Sequence, residues 1–451
     1  MITTTLSWIA SQIDGTLEGD DSTVTAVSTD TRALTEGAVY LALKGANFNG
    51  HDFAEAAANA GASAIIASEK VSVSTPVIYV EDTKLALGQL GAAVKQQVAP
   101  KTIAITGSSG KTTVKEMCAA ILSRRGKVLA TQGNFNNDIG VPLTLLRLEN
   151  DHEYAVMELG ANHLGEIAYT TQLVKPNVAT IVNAAASHLE GFGSLLGVAR
   201  AKSEIFKGLD EDGTAIVNVD SQFADFWLGK LKRTAVLTFS PQQKNEADYS
   251  AEDITLGLDG CAEFMLCSPE GDVAVQLTIP GLHNVGNALV AAALTMQLGA
   301  TLENVRDGLL SMQQVSGRLN VKTLTDQIRL LDDTYNANVA SVNYHFGTKE
   351  SLVQAVFARR LGPLNLERLK LLDQVERQSA GSAPCLESVL HAFVTPALHL
   401  RHQEGGENDE QHRNAIHAHV DKSTHLISGV DRPGVYFQIV GVGGGDYGGG
   451  E

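Results

Sequence analysis

The chain has few cysteines and no long apolar run. Its four cysteines, Cys118, Cys261, Cys267 and Cys385, show no CxxC pairing, which argues against disulfides and a cysteine zinc site. No stretch reaches the roughly 18 apolar residues of a membrane span. The first residues, MITTTLSWIASQIDG, also lack the basic region and apolar run of a signal peptide. We therefore expect a cytoplasmic protein without a membrane segment.

Positive charge is also scarce, since the formal net charge is -17 at pH 7. This balance argues against nonspecific binding to nucleic acid or to an anionic membrane, although backbone N–H groups and Mg²⁺ can still gather phosphates locally. At 451 residues the chain is long enough for two or three domains. We expect a monomeric, acidic enzyme of several domains.

Two α/β patterns follow each other along the chain. Residues 1–98 alternate apolar runs such as AVYLAL and SAIIAS with the helical stretch FAEAAANAGA, which predicts a small α/β domain. Residues 99–315 alternate strand-like runs (TIAIT, YAVMEL, VATIVN) with helical ones, which is typical of a doubly wound sheet. Within this second domain, residues 233–280 are strand-rich and predict a β elaboration.

The strongest local signal is the sequence GSSGKTT between the strand-like TIAIT and the helical VKEMCAAIL. Backbone N–H groups of such a loop can cradle phosphate at a helix N-terminus, while Lys111 reaches the β and γ oxygens and the Thr112 hydroxyl holds Mg²⁺. Ile105 stands where the longer form of this motif has its first glycine. The alternative is a Gly/Ser turn that only caps a helix. The phosphate-binding candidates are Gly107, Ser108, Ser109, Gly110, Lys111, Thr112 and Thr113.

Seven further motifs follow in order: GNFNNDIGVPLTLL, VMELGANHLGEI, NAAASHLEGFGS, ARAKSEIF, PGLHNVGNALVAAA, SGRLN and LLDDTYNAN. Together with the loop, they make residues 1–338 resemble the Mur ligase family of bacterial cell-wall synthesis. The resemblance implies ATP and Mg²⁺ as cofactors, with UDP-N-acetylmuramoyl-tripeptide and D-alanyl-D-alanine as substrates. It further implies that a substrate carboxylate attacks the γ-phosphate of ATP, and that the dipeptide amine then displaces phosphate from the acyl phosphate.

The resemblance also implies a catalytic centre made of Lys111, Glu158, His188 and Lys202. Glu158 ends the strand-like YAVME, and a carboxylate at that end of a parallel strand faces the ligand crevice. Glu158 and Thr112 would then bind Mg²⁺, His188 would bind or neighbour a second Mg²⁺, and Lys202 would help after carbamylation by CO₂. The alternatives are a solvent-facing glutamate, a satisfied loop histidine and a solvated helix lysine.

The remaining nucleotide contacts are implied in the same way. Asn284 and Asn287 would bind adenine, with helix capping as the alternative. Arg318 would stabilise charge on the transferred phosphoryl group, with an ordinary surface arginine as the alternative. Asp333 would bind ribose, with an Asx-turn as the alternative.

In the first domain, STDTRALTEGAVYLALKGANFNGHDF resembles the UDP-binding pattern of the same family. The implied substrate-binding residues are Ser28, Thr29, Asp30, Arg32, Phe48 and His51. A surface ion pair is the alternative for Asp30 and Arg32.

The resemblance ends near residue 338. Residues 316–338 would begin a third, Rossmann-like ligase domain, but the following NVASVNYHFGTKESLVQAVFARRLGPLN resembles TetR-type transcriptional repressors. We interpret 339–400 as a helical segment in place of that domain, and we favour packing over DNA binding because the helices that position a recognition helix are missing. Residues 401–451 are polar and Gly-rich, which predicts disorder.

Three hypotheses follow from these patterns. The first is an ATP-dependent amide ligase whose activity is impaired by the loss of its third domain. The second is an inactive nucleotide-binding remnant, which would bind ATP without turnover. The third is a DNA-binding regulator that acts through residues 338–400.

Overall fold

The structure, a computed structural model, describes residues 1–45, 48–185, 189–242, 245–257 and 259–312, together with the backbone of four strands further along. Two compact units are present, Met1–Gln313 and Gln314–Glu451. The candidates His188, Arg318 and Asp333 lie outside the described residues, and so does the segment 339–400. Among the helices described, none combines the length and apolar character that crossing a membrane requires.

The first 98 residues contain the α/β elements that the apolar runs predict, within the unit Met1–Gln313, and the boundary at residue 98 stays a prediction. The strands are β1 (Thr4–Thr5), β2 (Thr16–Glu18), β3 (Thr23–Val24), β4 (Val27–Ser28), β5 (Val39–Leu41), β6 (Lys44–Gly45), β7 (Phe48–Asn49), β8 (Ala64–Ala67) and β9 (Val77–Tyr79). The helices are α1 (Leu6–Gln12), α2 (Ala54–Asn59) and α3 (Thr83–Val98). The main sheet has the order β2-β9-β8-β5-β4, with β2 antiparallel and the other strands parallel.

The second domain contains a central sheet, a smaller sheet and eight helices among the residues described. Its strands are β10 (Lys101–Thr106), β11 (Lys127–Ala130), β12 (His152–Glu158), β13 (Val178–Ile181), β14 (Thr214–Asn218), β15 (Ala235–Phe239), β16 (Ser250–Leu256), β17 (Cys261–Ser268) and β18 (Gly271–Pro280). Its helices are α4 (Lys111–Leu122), α5 (Gly140–Leu145), α6 (Glu166–Val174), α7 (Leu189–Phe192), α8 (Leu195–Lys202), α9 (Ala224–Leu228), α10 (His283–Met296) and α11 (Leu302–Leu310).

The central sheet is doubly wound, as the sequence predicts. Its strands are all parallel, in the order β11-β12-β10-β13-β14-β15. Because β10 pairs with β12 on one side and β13 on the other, the carboxyl ends of these three strands meet at the switch point, where ligands bind in open α/β sheets. Strands β16, β17 and β18 form an antiparallel sheet, which is the β elaboration.

Helix α3 joins the two domains through two glycines. A Cβ atom at Gly91 would lie 3.0 Å from the Cα of Pro142 in α5, and one at Gly88 would meet the hydroxyl of Tyr169 in α6. Leu87 and Leu90 of the same helix belong to one hydrophobic cluster with residues of the central sheet. The first domain is therefore packed directly onto the second through the face of α3.

Four strands are described in the second unit, β19 (Asn320–Thr323), β20 (Ile328–Asp332), β21 (Ile427–Gly429) and β22 (Phe437–Gly441). They form an antiparallel sheet in the order β19-β20-β22-β21. Strands β21 and β22 fall within 401–451, where the sequence predicts disorder, and β22 coincides with a short apolar run, FQIV, in a polar stretch. The disorder of the other residues in 401–451 stays a prediction.

Candidate active site

The phosphate-loop candidate connects β10 to α4 at the switch point of the central sheet. Gly110 has a φ of +77°, and a Cβ atom there would lie 2.9 Å from the Oδ1 atom of Asn287. A Cβ at Gly107 would lie 3.1 Å from the Cβ of Val182. The positive φ therefore favours glycine at Gly110, and there is little room for a side chain at Gly107. The loop leads directly into the N-terminus of α4, whose N–H groups and dipole favour an anion.

Asn183, just beyond the carboxyl end of β13, holds the loop from the side. Its Oδ1 atom accepts hydrogen bonds from the N–H groups of Ser108 at 3.1 Å and Ser109 at 3.0 Å. Its Nδ2 atom donates to the carbonyl oxygen of Ser109 at 3.1 Å. Two of the N–H groups expected to face phosphate thus have a protein acceptor, and the N-terminal N–H groups of α4 are the better phosphate donors.

Thr112 and Glu158 meet as the sequence predicts. The Thr112 hydroxyl donates to the Oε2 atom of Glu158 at 2.7 Å, and the Nδ2 atom of Asn136 donates to Oε1 at 3.0 Å. Glu158 is 3% exposed at the end of β12, so the alternative of a solvent-facing glutamate is wrong. A buried carboxylate beside a hydroxyl offers the hard oxygen ligands that Mg²⁺ prefers.

The side chain of Lys111 folds back over the loop, where its Nζ atom donates to the carbonyl oxygen of Gly107 at 2.9 Å. Lys202, the last residue of α8, is 3% exposed, which excludes the alternative of a solvated helix lysine. Burial, followed by the positive charge of Lys111, lowers the pKa of Lys202 to about 7. A large share of the Lys202 amine is therefore neutral at neutral pH.

Asn284 and Asn287 lie in the first turns of α10, beside the phosphate loop. The Nδ2 atom of Asn287 donates to the Oδ1 atom of Asn284 at 2.8 Å, and the Nδ2 atom of Asn284 donates to the carbonyl oxygen of Pro280 at 2.7 Å. Both amides are buried. These local bonds fit a role in ordering the start of α10 against Gly110, and the contact with adenine stays a prediction.

Asp30 and Arg32 form the surface ion pair that the sequence left open. The Nε and Nη2 atoms of Arg32 donate to the two carboxylate oxygens of Asp30 at 2.9 and 2.7 Å, and the Arg32 side chain is 88% exposed. Hydrogen bonds from Arg32 lower the pKa of Asp30 to about 2. The Ser28 hydroxyl lies beside this pair, accepting from the Asp30 N–H group at 3.1 Å, with Thr29 between them. Contact of these residues with UDP stays a prediction.

His51 is buried and bonded through both ring nitrogens. Its Nε2 atom accepts from the Ser68 N–H group at 2.9 Å, so Nδ1 carries the proton and donates to the Oδ1 atom of Asn49 at 2.6 Å. Burial lowers the pKa of His51, which keeps it neutral at pH 7. Phe48 is 50% exposed and stacks on Phe53 with ring centroids 5.3 Å apart. His51 therefore orders the loop, and contact of Phe48 or His51 with the substrate stays a prediction.

A different group of potential metal ligands occurs among the described residues at Glu149, Asp151 and His152. It sits at the amino end of β12, the opposite edge of the sheet from Glu158. Lys127 already donates to Glu149 at 2.5 Å and to Asp151 at 2.9 Å, so a cation occupies this group. The fit for Mg²⁺ is therefore better at Thr112 and Glu158.

The sequence did not single out Asn136 or Asn183, although both lie in quoted motifs. Asn136 is in GNFNNDIG and Asn183 starts NAAASHLEG. The position of Asn183 could have indicated its contact with the loop, because Asn183 follows β13, the strand that pairs with β10. Which of the three asparagines in GNFNND would reach Glu158 depends on the path of the loop, and local pattern does not give that path.

Comparisons with known proteins identify the family of this chain. The Mur ligase middle domain matches residues 105–295, and the Mur ligase family catalytic domain matches residues 23–121. The chain is 51% identical to the UDP-N-acetylmuramoyl-tripeptide–D-alanyl-D-alanine ligase of Escherichia coli K12, over 76% of this chain and 75% of the relative. It is 35% identical to the ligase of the same name from Bacillus subtilis, over 78% of this chain and 76% of the relative.

Solved structures give the same result. MurF from Acinetobacter baumannii superimposes with a TM-score of 0.71 at 40% identity, over 76% of this chain and 75% of that one. The MurF ligase of Thermotoga maritima, solved in complex with ADP, superimposes with a TM-score of 0.63 at 29% identity, over 73% and 75%.

Proposed function

The chain belongs to the Mur ligase family, and we propose that it joins D-alanyl-D-alanine to UDP-N-acetylmuramoyl-tripeptide in an ATP-dependent step of peptidoglycan precursor synthesis. The observation that carries the proposal is the hydrogen bond of 2.7 Å between Thr112 and Glu158 at the phosphate loop. This bond joins Thr112 of the candidate phosphate loop to Glu158, a carboxylate suited to Mg²⁺, at the switch point of the sheet. Relatives at 51% and 35% identity carry the name of this ligase.

The reaction needs a substrate carboxylate to attack the γ-phosphate of ATP, which releases ADP and leaves an acyl phosphate. The amine of the dipeptide then attacks the acyl carbon, and inorganic phosphate leaves as the amide forms. In this proposal the N-terminal N–H groups of α4 and the Lys111 ammonium bind the phosphate oxygens and orient them for in-line attack. Lys111 would leave the Gly107 carbonyl to do so.

Thr112 and Glu158 would hold Mg²⁺, which supplies positive charge against the clustered phosphate oxygens when it is bound. Asn136 donates to one carboxylate oxygen of Glu158 and Thr112 to the other, so the carboxylate has a fixed orientation. Asn284 and Asn287 order the start of α10 against the loop. His188, Arg318 and Asp333 would complete the nucleotide site in the roles that the family resemblance implies.

Lys202 would act after carbamylation. Its neutral amine nitrogen attacks the carbon of CO₂, a nitrogen–carbon bond forms as one C=O π pair moves onto oxygen, and the nitrogen loses a proton to solvent, which leaves a carbamate anion. Burial and the pKa of about 7 favour the neutral amine that this step requires. The product would replace a cation next to Lys111 with an anion that can help to hold Mg²⁺.

The UDP-sugar would bind at the first domain. Phe48 offers an exposed aromatic face for the base, while Ser28, Thr29, Asp30 and Arg32 form a polar group at the end of β4. His51 would contribute by holding the loop that carries Phe48. In the same proposal, the protein is a cytoplasmic monomer that has no nucleic-acid partner.

A phosphate-release assay tests this function. Purified protein is mixed with Mg²⁺, ATP, UDP-N-acetylmuramoyl-tripeptide and D-alanyl-D-alanine, and a Lys111→Ala variant serves as the control. Release that requires both substrates and is lost in Lys111→Ala supports the ligase. Equal, negligible release from both proteins overturns it, and ATP binding without release would instead identify a nucleotide-binding remnant.

A further inference from the structure

Lys115 is a buried lysine one turn into α4, and none of the roles above uses it. It is 2% exposed, and its Nζ atom donates to the carbonyl oxygen of Thr131 at 2.6 Å. The same atom lies 2.7 Å from the Oε1 atom of Glu116. Burying an ammonium group is costly unless it is paired and hydrogen-bonded, so these two partners account for how the chain tolerates it here.

Thr131 connects Lys115 to Glu158. It directly follows β11 and is 1% exposed. Its carbonyl oxygen accepts from Lys115, and its hydroxyl oxygen accepts the N–H group of Glu158 at 3.0 Å. Its own N–H group donates to the carbonyl oxygen of Val156 at 3.1 Å, which extends the pairing of β11 with β12. Thr131 thus accepts hydrogen bonds from both the Lys115 side chain and the backbone of Glu158, the candidate metal ligand.

Two residues of the loop after β11 and one residue of helix α4 make side-chain hydrogen bonds with Glu158. Thr131 starts the loop and binds the Glu158 backbone, while Asn136, further along the loop, binds the carboxylate. Helix α4 supplies Thr112 to the carboxylate and, three residues later on the same face, Lys115 to Thr131. The position of Glu158 relative to the phosphate loop is therefore set through Lys115 as well as through Thr112.

We propose that Lys115 is a positioning residue, which holds Thr131 and through it the backbone of Glu158, so that the Glu158 carboxylate stays aimed at the Mg²⁺ site. This inference rests on the proposed function for the metal-binding role of Glu158. Mutation of a group that holds a metal ligand in place typically costs about 10- to 100-fold in metal affinity or activity. A lysine that only supported the fold would change stability without selectively changing metal affinity.

Binding of Mn²⁺ in the presence of ATP, followed by the paramagnetic resonance signal of free Mn²⁺, tests the proposal on the full chain. We expect Lys115→Met to weaken Mn²⁺ binding by about 10- to 100-fold. Lys95→Met is the matched control, because Lys95 also donates to a backbone carbonyl, that of Lys175 at 2.8 Å, but on α3. We expect this control to bind Mn²⁺ like the wild type.

Thr131 gives a second, independent readout. Thr131→Val removes the hydroxyl acceptor for the Glu158 N–H group and should weaken Mn²⁺ binding, whereas Thr131→Ser keeps the acceptor and should not. Lys115→Met and Thr131→Val interrupt the same connection. The double variant should therefore bind Mn²⁺ no more weakly than whichever single variant has the lower affinity. Where Lys115→Met does not fold, the comparison of Thr131→Val with Thr131→Ser still tests whether the contact of Thr131 with Glu158 positions the metal ligand.

The outcomes separate the two proposals. Unchanged Mn²⁺ affinity in a folded Lys115→Met variant overturns the positioning role while leaving the ligase function standing. Equal weakening in Lys115→Met and Lys95→Met, or in Thr131→Val and Thr131→Ser, overturns it as well. A wild type that takes up no Mn²⁺ with ATP contradicts the metal site of the proposed function and this inference with it.

Discussion

The positive charge of Lys111 acts on the amine of Lys202, whose burial already lowers its pKa to about 7. Lys111 starts α4 at the phosphate loop and Lys202 ends α8, so the fold brings two cations to the same edge of the central sheet. Such a pair is unfavourable unless one of the two loses its charge. A neutral or carbamylated Lys202 removes the repulsion and leaves Lys111 free to attract phosphate.

Removal of CO₂ should therefore lower turnover. In buffers freed of CO₂ and bicarbonate, we expect phosphate release by the wild type to fall by at least about tenfold, comparable to the loss of a group that supports a metal site. Added bicarbonate should restore the rate. Lys202→Met should be slow under both conditions, because it has no amine to carbamylate. A wild-type rate that is indifferent to CO₂ would contradict the role proposed for Lys202.

The stability of the protein should depend on pH through the same residue. The pKa of Lys202 falls from 10.5 to about 7 on folding, so between these values the unfolded chain binds more protons than the folded one. The contribution of this group to the free energy of unfolding therefore rises with pH across the window, and the cost of burying its charge is greatest below about pH 7.

Lys202→Met removes that cost. In CO₂-free buffer it should raise Tm more at pH 6.5 than at pH 9.5, reflecting a free-energy difference on the order of a few kcal/mol. Thermal unfolding at the two pH values measures the effect. An equal change in Tm at both would mean that the Lys202 amine keeps its ordinary pKa in the folded protein.

Glu158→Gln should abolish most activity with little loss of fold. Glutamine keeps the shape and can still accept from Thr112, but it lacks the negative charge that binds Mg²⁺, so we expect phosphate release to drop by at least about 100-fold. The assay is phosphate release at increasing Mg²⁺ concentration. Glu149→Gln, on the other edge of the same sheet, is the control and should keep wild-type activity. Loss in both variants, or in neither, would argue against a metal site at Glu158.

Much of this fold follows from local sequence. The runs AVYLAL, SAIIAS and TIAIT become buried parallel strands, because continuous apolar residues suit strands covered on both faces. The glycine loop was predicted because it directly follows such a run. The role of Glu158 came from the family resemblance, and its place at the end of a strand-like run agrees with it, since the carboxyl ends of parallel strands meet at one edge.

The contacts of Lys115 and Asn183, by contrast, do not follow from local sequence. Lys115 reads as a solvated helix lysine in the pattern VKEMCAAIL, and its burial depends on the carbonyl of Thr131, which lies sixteen residues away, directly after β11. Asn183 reads as a strand-end asparagine, and its bonds to Ser108 and Ser109 cross to a loop over seventy residues earlier. Side-chain contacts of this range depend on strand order, which local patterns do not specify.

Asn183→Ala should weaken ATP binding. The N–H groups of Ser108 and Ser109 lose their shared acceptor, at about 1 kcal/mol for each hydrogen bond, so we expect the Kd for ATP to rise by roughly tenfold or more. Titration calorimetry with ATP and Mg²⁺ measures it. Asn304→Ala, which removes a capping residue of α11, is a control for loss of an asparagine away from the loop. An unchanged Kd in Asn183→Ala would show that the loop keeps its shape without this side chain.

Gly91→Ala tests the contact between the two domains. Packing around residue 91 decides whether this substitution raises or lowers the free energy of unfolding. In an exposed helix this substitution would stabilise by about 1 kcal/mol, because alanine has the higher helix propensity. At Gly91 the new Cβ would lie 3.0 Å from both the Cα and the Cβ of Pro142 and 3.1 Å from its carbonyl oxygen. Backbone atoms cannot move aside cheaply, and overpacking of this kind costs about 1–3 kcal/mol.

We therefore expect Gly91→Ala to lower the free energy of unfolding by up to about 2 kcal/mol once the gain in helix propensity is subtracted from the cost of overpacking. Urea unfolding followed by far-ultraviolet circular dichroism measures it. Gln97→Ala, on the exposed side of α3, is the matched control and should be neutral or slightly stabilising. Stabilisation of both variants would mean that α3 does not rest on Pro142, and that the first domain meets the second by another surface.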